Sequence, residues 1–302
     1  MLQPILLRRF LFSVSAYFCF LSLSSGHQLY LQPDEYKTPN AEDLNIWVYD
    51  GSFDRSTWAV KTTQIITLEA HGPTGSQSID QETWEVTKAG SKFWRAQQNF
   101  LGSLGARYIR YSSSFTIQPK VEGSYVIGLN ITPGRIAMER EAYIHYLEKE
   151  AFSSFHLDDL PQAQDKEMFR EQFKKSAKTI VQSGARITDN VLQPIGLMAE
   201  ILPTVHPARI KVGDVVDLMI LLNGNPLPGQ NVLAGPKAGM FSNSEESGTV
   251  YTSNEAGIIS LPITEPGTWW LKFIHLQPVS MDEGVDKVDF VSNWGSLTFE
   301  VN

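Results

Sequence analysis

Cysteine is nearly absent from this 302-residue chain, with Cys19 the one example. A single thiol closes no internal disulfide and builds no iron–sulfur cluster or thiolate zinc site, so no disulfide partner is expected. Positive charge is scarce too: 25 Lys and Arg stand against 33 Asp and Glu, for a formal charge of −8. An acidic chain lacks the basic face that nucleic-acid binding uses, and no nucleic-acid partner is expected. Long hydrophobic runs are missing after the first 26 residues. The most apolar remaining run, Val215 to Leu222, is too short to cross a bilayer and contains Asp217. The His residues form no HxH, HxxxH or HExxH spacing, and no G-x-S-x-G elbow or phosphate-cradling glycine loop occurs. Without such a motif, no enzymatic activity is expected.

What is present begins with a leader. Arg8 and Arg9 precede an apolar stretch from Phe10 to Leu23, and Ser24 and Gly26 are the small residues that signal peptidase favours. Residues 1–26 therefore read as a signal peptide that is cleaved on export. Cleavage removes Cys19. An exported chain without cysteine fits a bacterial periplasm, where it needs no disulfide for stability.

The remainder reads as mainly β, in two sandwich domains with a helical insert between them. In residues 27–135, segments such as His27 to Leu31, Leu44 to Tyr49, Gln64 to Ala70, Tyr108 to Ile117 and Ser124 to Leu129 are short and β-branched or aromatic. Turn residues bound them, so they read as strands. Residues 136–190 change period. Ile136, Arg140, Tyr143, Ile144, Leu147 and Ala151 fall on one stripe, and Phe169, Phe173, Ala177, Ile180 and Val181 on another. The spacing predicts two amphipathic helices, Ile136 to Ala151 and Asp165 to Val181, with Gly184 as a C-terminal cap. Residues 191–302 return to strands, with a turn at Lys211 to Asp214 and a hairpin at Asn223 to Pro226. About seven strands here suggest an immunoglobulin-like or transthyretin-like sandwich.

Four segments carry a family resemblance. They are His27-Gln28-Leu29-Tyr30-Leu31-Gln32-Pro33 directly after the leader; the insert with Tyr143, Leu147, Arg170, Ala177 and Lys178; Pro203 to Pro207 with Gly213-Asp214 and Asn223 to Gly229; and Gly267 to His275 with Trp294 and Leu297 to Glu300. In this order the chain resembles the periplasmic accessory components of cobalt and nickel uptake systems, a family also catalogued as of unknown function. The resemblance implies transition-metal binding and a membrane metal transporter as partner.

The six His residues are 27, 71, 145, 156, 206 and 275. Cleavage after Gly26 makes His27 the first residue, so its α-amine and imidazole can chelate one metal. Nitrogen pairs of this kind suit Cu or Ni. His275 ends an alternating run with Trp269, Leu271 and Phe273, and is the candidate second imidazole. His71 stands at a strand-to-turn boundary as a third ligand. His206 reads as structural, and His145 and His156 as surface or packing residues. Glu148, Lys149 and Glu150 read as a solvent face, and most tryptophans as core. Three functions follow: a periplasmic accessory protein binding Ni, Co or Cu; a metal-free adhesion or scaffold protein of the cell envelope; and, least favoured, a copper oxidative enzyme with the same amino-terminal His.

Overall fold

The computed structural model describes residues 27–39, 42–89, 110–150, 166–239, 242–279 and 288–302. The leader, Cys19, His156, Trp94 and the acidic loop around Asp282 lie outside them. The described chain is mainly β, with nineteen strands and one α-helix, arranged in three sheets.

The central sheet has ten strands. Its main order is β16 (Thr249–Thr252), β15 (Asn231–Pro236), β18 (Gly267–Pro278), β19 (Phe290–Val301), β11 (Met168–Ser183), β9 (Gly123–Ile131), β5 (Ile65–Gly72) and β6 (Gly75–Ser78). The short strands β2 (Lys37–Thr38) and β10 (Gly134–Glu139) also pair with β11. An amino-terminal outer sheet holds β1 (Gln28–Pro33), β3 (Leu44–Ser52), β8 (Arg110–Ile117) and β7 (Glu85–Ala89), with β4 (Arg55–Trp58) on β3. A carboxy-terminal outer sheet holds β12 (Ala199–Pro203), β13 (Val215–Leu222), β14 (Asn225–Pro226) and β17 (Ile258–Pro262).

Two cores lie on opposite faces of the central sheet. On one face Ala177 and Val181 of β11 pack with Leu29, Leu31, Ile46, Val48 and Phe115 of the amino-terminal outer sheet. On the other, Ile180, Leu271, Phe273, Leu297 and Phe299 pack with Ile201, Val216, Leu218, Ile220 and Ile259 of the carboxy-terminal outer sheet. Side chains alternate along a strand, so β11 serves both cores: odd positions face the first and even positions the second. The β-sandwich expected from the sequence is present as two sandwiches sharing their middle layer. Hydrogen bonding runs through that layer from β5 to β15, across the expected insert.

The second expected helix is a strand. Residues 168–183 form β11, which runs parallel to β19 from Glu171 opposite Phe290 to Thr179 opposite Thr298, and antiparallel to β9. Phe169, Phe173, Ala177 and Val181 are four residues apart. That interval returns to nearly the same side of a helix and to the same face of a strand. The residues between them on that face, Glu171, Lys175 and Thr179, are polar, and they hid the two-residue period. Gly184 has the positive φ (+72°) expected of a cap, but it ends a strand. There its N–H donates to the Thr38 carbonyl, and a Cβ would lie 2.2 Å from Glu122. The first expected helix is shorter than its stripe: β10 takes residues 134–139, and α1 is Arg140–Lys149. Its Tyr143, Tyr146 and Leu147 pack on Phe169, Ile274, Phe290 and Trp294 at one end of the central sheet.

Turns behave as the sequence predicts. Asn223 (φ 52°) and Gly224 (φ 77°) both take the left-handed conformation that a two-residue hairpin needs between β13 and β14. Asp214 closes the preceding turn by accepting the Lys211 N–H.

The central sheet carries charge inside. Lys178, on the even face, donates to Glu200 of β12 at 2.7 Å, with both side chains at most 1% exposed. Glu200 also accepts the N–H groups of Ile195, Gly196 and Leu197. Removing one member of such a pair strands the other charge, a loss of about 3–5 kcal/mol. We expect Glu200→Ala to lose about that much in urea unfolding, because Lys178 is left without its partner. Lys178→Met loses less, because the carboxylate keeps its three N–H donors. Equal losses, or a loss under about 1 kcal/mol for Glu200→Ala, would contradict this account of the pair.

Candidate functional site

His27 directly precedes β1, half-buried beside β4 of the amino-terminal outer sheet. Its Nδ1 lies 3.1 Å from Thr57 Oγ1, and its ring meets the edge of Trp58, which is 60% exposed. The Thr57 hydroxyl donates to the Asp50 carbonyl at 3.1 Å. With that proton used, Nδ1–H is the donor to Thr57, and Nε2 keeps the open lone pair. Burial pulls the His27 pKa down, opposed by the Asp50 carboxylate and assisted by Lys175 and Arg55. The imidazole is therefore neutral at pH 7, the form that binds metal.

Two ionic groups flank β1. On the His27 side, Lys175 of β11 donates to Asp50 at 2.7 Å and lies over the rings of Phe173 and Trp294. On the other side, Lys272 of β18 donates to Glu150 and Glu245, each at 2.8 Å. Glu245 also accepts from the Tyr30 hydroxyl at 3.0 Å and the Phe53 N–H at 2.8 Å. Burial would pull the Lys272 ammonium down, but Glu150 and Glu245 more than offset it and hold its pKa up. Glu150, expected on a solvent face, is buried here, whereas Glu148 and Lys149 are exposed. Gln28, fully buried with neither amide atom hydrogen-bonded, shares the side of Tyr30 and points away from His27.

The structure does not bring the three expected metal ligands together. His275 has the parity of Leu271 and Phe273, which face the carboxy-terminal outer sheet, whereas His27 lies on the side of the amino-terminal one. Its Nδ1 is 3.0 Å from Gln230 Oε1, and burial lowers its pKa. His71 of β5 pairs with Glu69 at 3.1 Å. Among the described residues no group of three or more His, Cys, Asp and Glu stands where it could hold a metal ion. The side chains fit a chelate of the two His27 nitrogens with Asp50 close by, and do not fit a three-imidazole set. Closing that ring would require Nδ1 to leave Thr57.

His206 is structural in the sense expected. It is buried, its Nδ1 accepts the Ala208 N–H at 3.0 Å, and its Nε2 lies 2.8 Å from Ser124 Oγ. A Ser–His contact at this distance has the look of a nucleophile and its base. Here the polarity is reversed: Nδ1 is the acceptor, so Nε2 must carry the proton, and the Ser124 hydroxyl donates to Gln182 at 2.6 Å. His145 is exposed on α1, while Trp269, Trp270 and Trp294 are core residues.

Sequence reasoning missed Asp50, Lys175, Glu245 and Lys272. The one available signal was a lysine set between apolar neighbours in a buried strand, as in Leu271-Lys272-Phe273. No local pattern identifies its partners.

Comparison with known proteins adds family and little else. A family described as a domain of unknown function (DUF4198) matches residues 24–277. No curated protein matches the chain. Among solved structures, murine CEACAM1b is 9% identical over 91% of this chain and 99% of its own, with a TM-score of 0.19. The Yersinia pseudotuberculosis adhesin InvE is 9% identical over 92% of this chain and 59% of its own, with a TM-score of 0.20. Native E. coli alpha-2-macroglobulin is 10% identical over 91% of this chain and 17% of its own, also with a TM-score of 0.20.

Burial depresses the pKa values of His27, His206 and His275, so the unfolded chain binds more protons than the folded one below the free imidazole value of about 6.5. Stability is fully present above that value and falls as the pH drops through the lowered folded values. We expect the urea midpoint to decline between pH 7.5 and 5.5. His206→Gln should flatten that decline, at some cost in stability at pH 7.5. A midpoint independent of pH across this range would contradict the assignment.

Proposed function

We propose a function from one premise: the chain belongs to the DUF4198 family. On our reading it is an exported, periplasmic accessory protein that binds a transition metal, Ni, Co or Cu, and hands it to a membrane transporter. It is a carrier and does no chemistry on a substrate. The observation that carries the reading is the state of His27. It is the residue that cleavage after Gly26 would make the amino terminus. Its imidazole is neutral, half-buried and held by an exchangeable hydroxyl, with the Asp50 carboxylate near enough to affect its charge.

The roles divide among the residues of this chain. The α-amine and Nδ1 of His27 supply a six-membered chelate. Asp50 supplies negative charge, moderated by its ion pair with Lys175. Thr57 holds the ring until the metal displaces it. Trp58, exposed beside the ring, leaves one side of the site open to a partner. A weakly built site of this kind suits handover better than storage, since a carrier must also release its cargo.

The test uses protein that begins at His27, titrated with Cu(II), Ni(II) and Co(II) by calorimetry. At least one metal should bind with Kd at or below about 1 μM. One extra residue before His27 should weaken binding at least about tenfold, which corresponds to about 1.4 kcal/mol. Thr57→Val, which frees Nδ1, should leave binding intact or tighten it. If no metal binds below micromolar levels, the reading fails, and the metal-free scaffold becomes the better account. If the extended protein binds equally well, the amino terminus is not a ligand.

A further inference from the structure

Among the described residues, β1 is an edge strand whose backbone ladder is with β3 alone. From Leu29 to Gln32 each position has a further tie. Leu29 and Leu31 accept from the Ser296 and Thr298 hydroxyls of β19 at 2.5 and 2.6 Å. Tyr30 donates to Glu245 at 3.0 Å, and the Gln32 side chain donates to the Phe53 carbonyl. Because Leu29 and Leu31 turn their carbonyls to β19, the backbone groups of Gln28, Tyr30 and Gln32 are the ones that face β3.

The first residue of β1 is different. Gln28 is fully buried, and neither atom of its side-chain carboxamide has a hydrogen-bond partner. Its cross-strand neighbour is Gly51, which has no side chain to offer. The ladder between β3 and β4 also shifts register between Asp50 and Gly51. A buried carboxamide with donor and acceptor both unmet is costly, and water would satisfy both at once. His27, just before it, rests on the Thr57 hydroxyl at 3.1 Å and on the edge of Trp58. The Thr57 contact also stands in the way of a chelate, because it engages the nitrogen that the α-amine needs as its partner.

We propose that His27 and Gln28 form a two-residue latch that swings off β3 as a unit, hinged at Leu29 where Ser296 pins the chain. Closed, the latch buries an unsatisfied carboxamide and keeps Nδ1 on Thr57. Open, it hydrates the carboxamide and frees Nδ1 and the α-amine together. The ladder to Gly51, the buried methylenes of Gln28 and the Thr57 contact favour the closed form. The Gln28 carboxamide opposes it and keeps the gap between the two forms small. Metal binds the open form, so the apparent Kd is the intrinsic one divided by the open fraction. A residue that touches no metal thereby sets the affinity and lets a partner take the cargo from an exposed end. This role rests on the carrier reading, whereas the opening itself needs no metal.

The test starts with metal-free protein that begins at His27 and follows hydrogen exchange by NMR. The backbone N–H of Gln28 should be at least about tenfold less protected than that of Tyr30. Gln28→Met keeps the side-chain length and removes the carboxamide. It should raise protection at position 28 at least about fivefold and raise the thermal midpoint. Its Cu(II) or Ni(II) affinity, by calorimetry, should weaken by the same factor as protection rises. Ser296→Ala, which unpins Leu29, should move the hinge inward and lower protection at Tyr30 at least about fivefold. Ordinary fraying of a chain end would leave position 28 equally unprotected in Gln28→Met. Equal protection at positions 28 and 30, no gain in Gln28→Met, or a lower midpoint for that variant would each overturn the latch, whatever the metal does. A gain in protection with unchanged metal affinity overturns its role in binding. If the unmodified protein binds no metal, the carrier reading fails by itself, and the exchange data decide the latch.

Discussion

A sheet buried on both faces must answer every charge it carries inward, and the rest of this molecule is arranged around that constraint. Strand β11 brings Lys175 to one face and Lys178 to the other. Each meets a carboxylate of a different outer sheet, Asp50 above and Glu200 below. The neighbouring strand β18 adds Lys272, answered by Glu150 after α1 and by Glu245 of the loop following β15. Unpaired, any of these lysines would carry a large desolvation penalty. Their partners come from segments distant in sequence, so the pairs fix how the outer layers and the helix seat on the middle one. Neutral contacts follow the same geometry: Ser296 and Thr298 of β19 donate to the Leu29 and Leu31 carbonyls along the edge of β1.

The candidate site at His27 and a surface groove both follow from where β1 meets this middle layer. At its start, the strand leaves His27 at a seam between layers, half-buried and next to Asp50. At its end, the crossing into β2 lifts the chain off the central sheet and leaves a groove over Thr268 and Glu300. Trp269, Trp270 and Trp294 are buried between the layers. Among the described residues the Gln28 amide stands out, since it is buried without a partner in an interior where Lys175, Lys178 and Lys272 are all paired.

Much of the fold is legible in the sequence. Alternation placed β1, β3, β5, β9 and the strands after β12 close to where they lie, and Asn223-Gly224 marked its hairpin, because both signals are local. Residues 168–183 were misleading for a physical reason: apolar side chains four apart satisfy helix and strand alike, and the polar residues between them are paired only after folding. Glu150 was misread for the same reason. In the sequence it continues the charged run of Glu148 and Lys149, and only the approach of Lys272 explains its burial.

For function, the sequence by itself determined the candidate chemistry. The expected leader singles out His27, and its cleavage would remove Cys19 and leave nitrogen, oxygen and thioether donors for a metal. It could not decide which His residues meet. His27 and His275 each end an apolar run, and parity along a strand says which residues share a face of that strand. It does not say against which layer that face will pack. The tertiary structure decided this by burying the central sheet on both sides, which sends His27 and His275 to opposite faces. The same packing brought Glu35, Tyr36, Lys37, Lys237, Thr268 and Glu300, contributed by segments more than two hundred residues apart, into one groove that no local pattern could have announced.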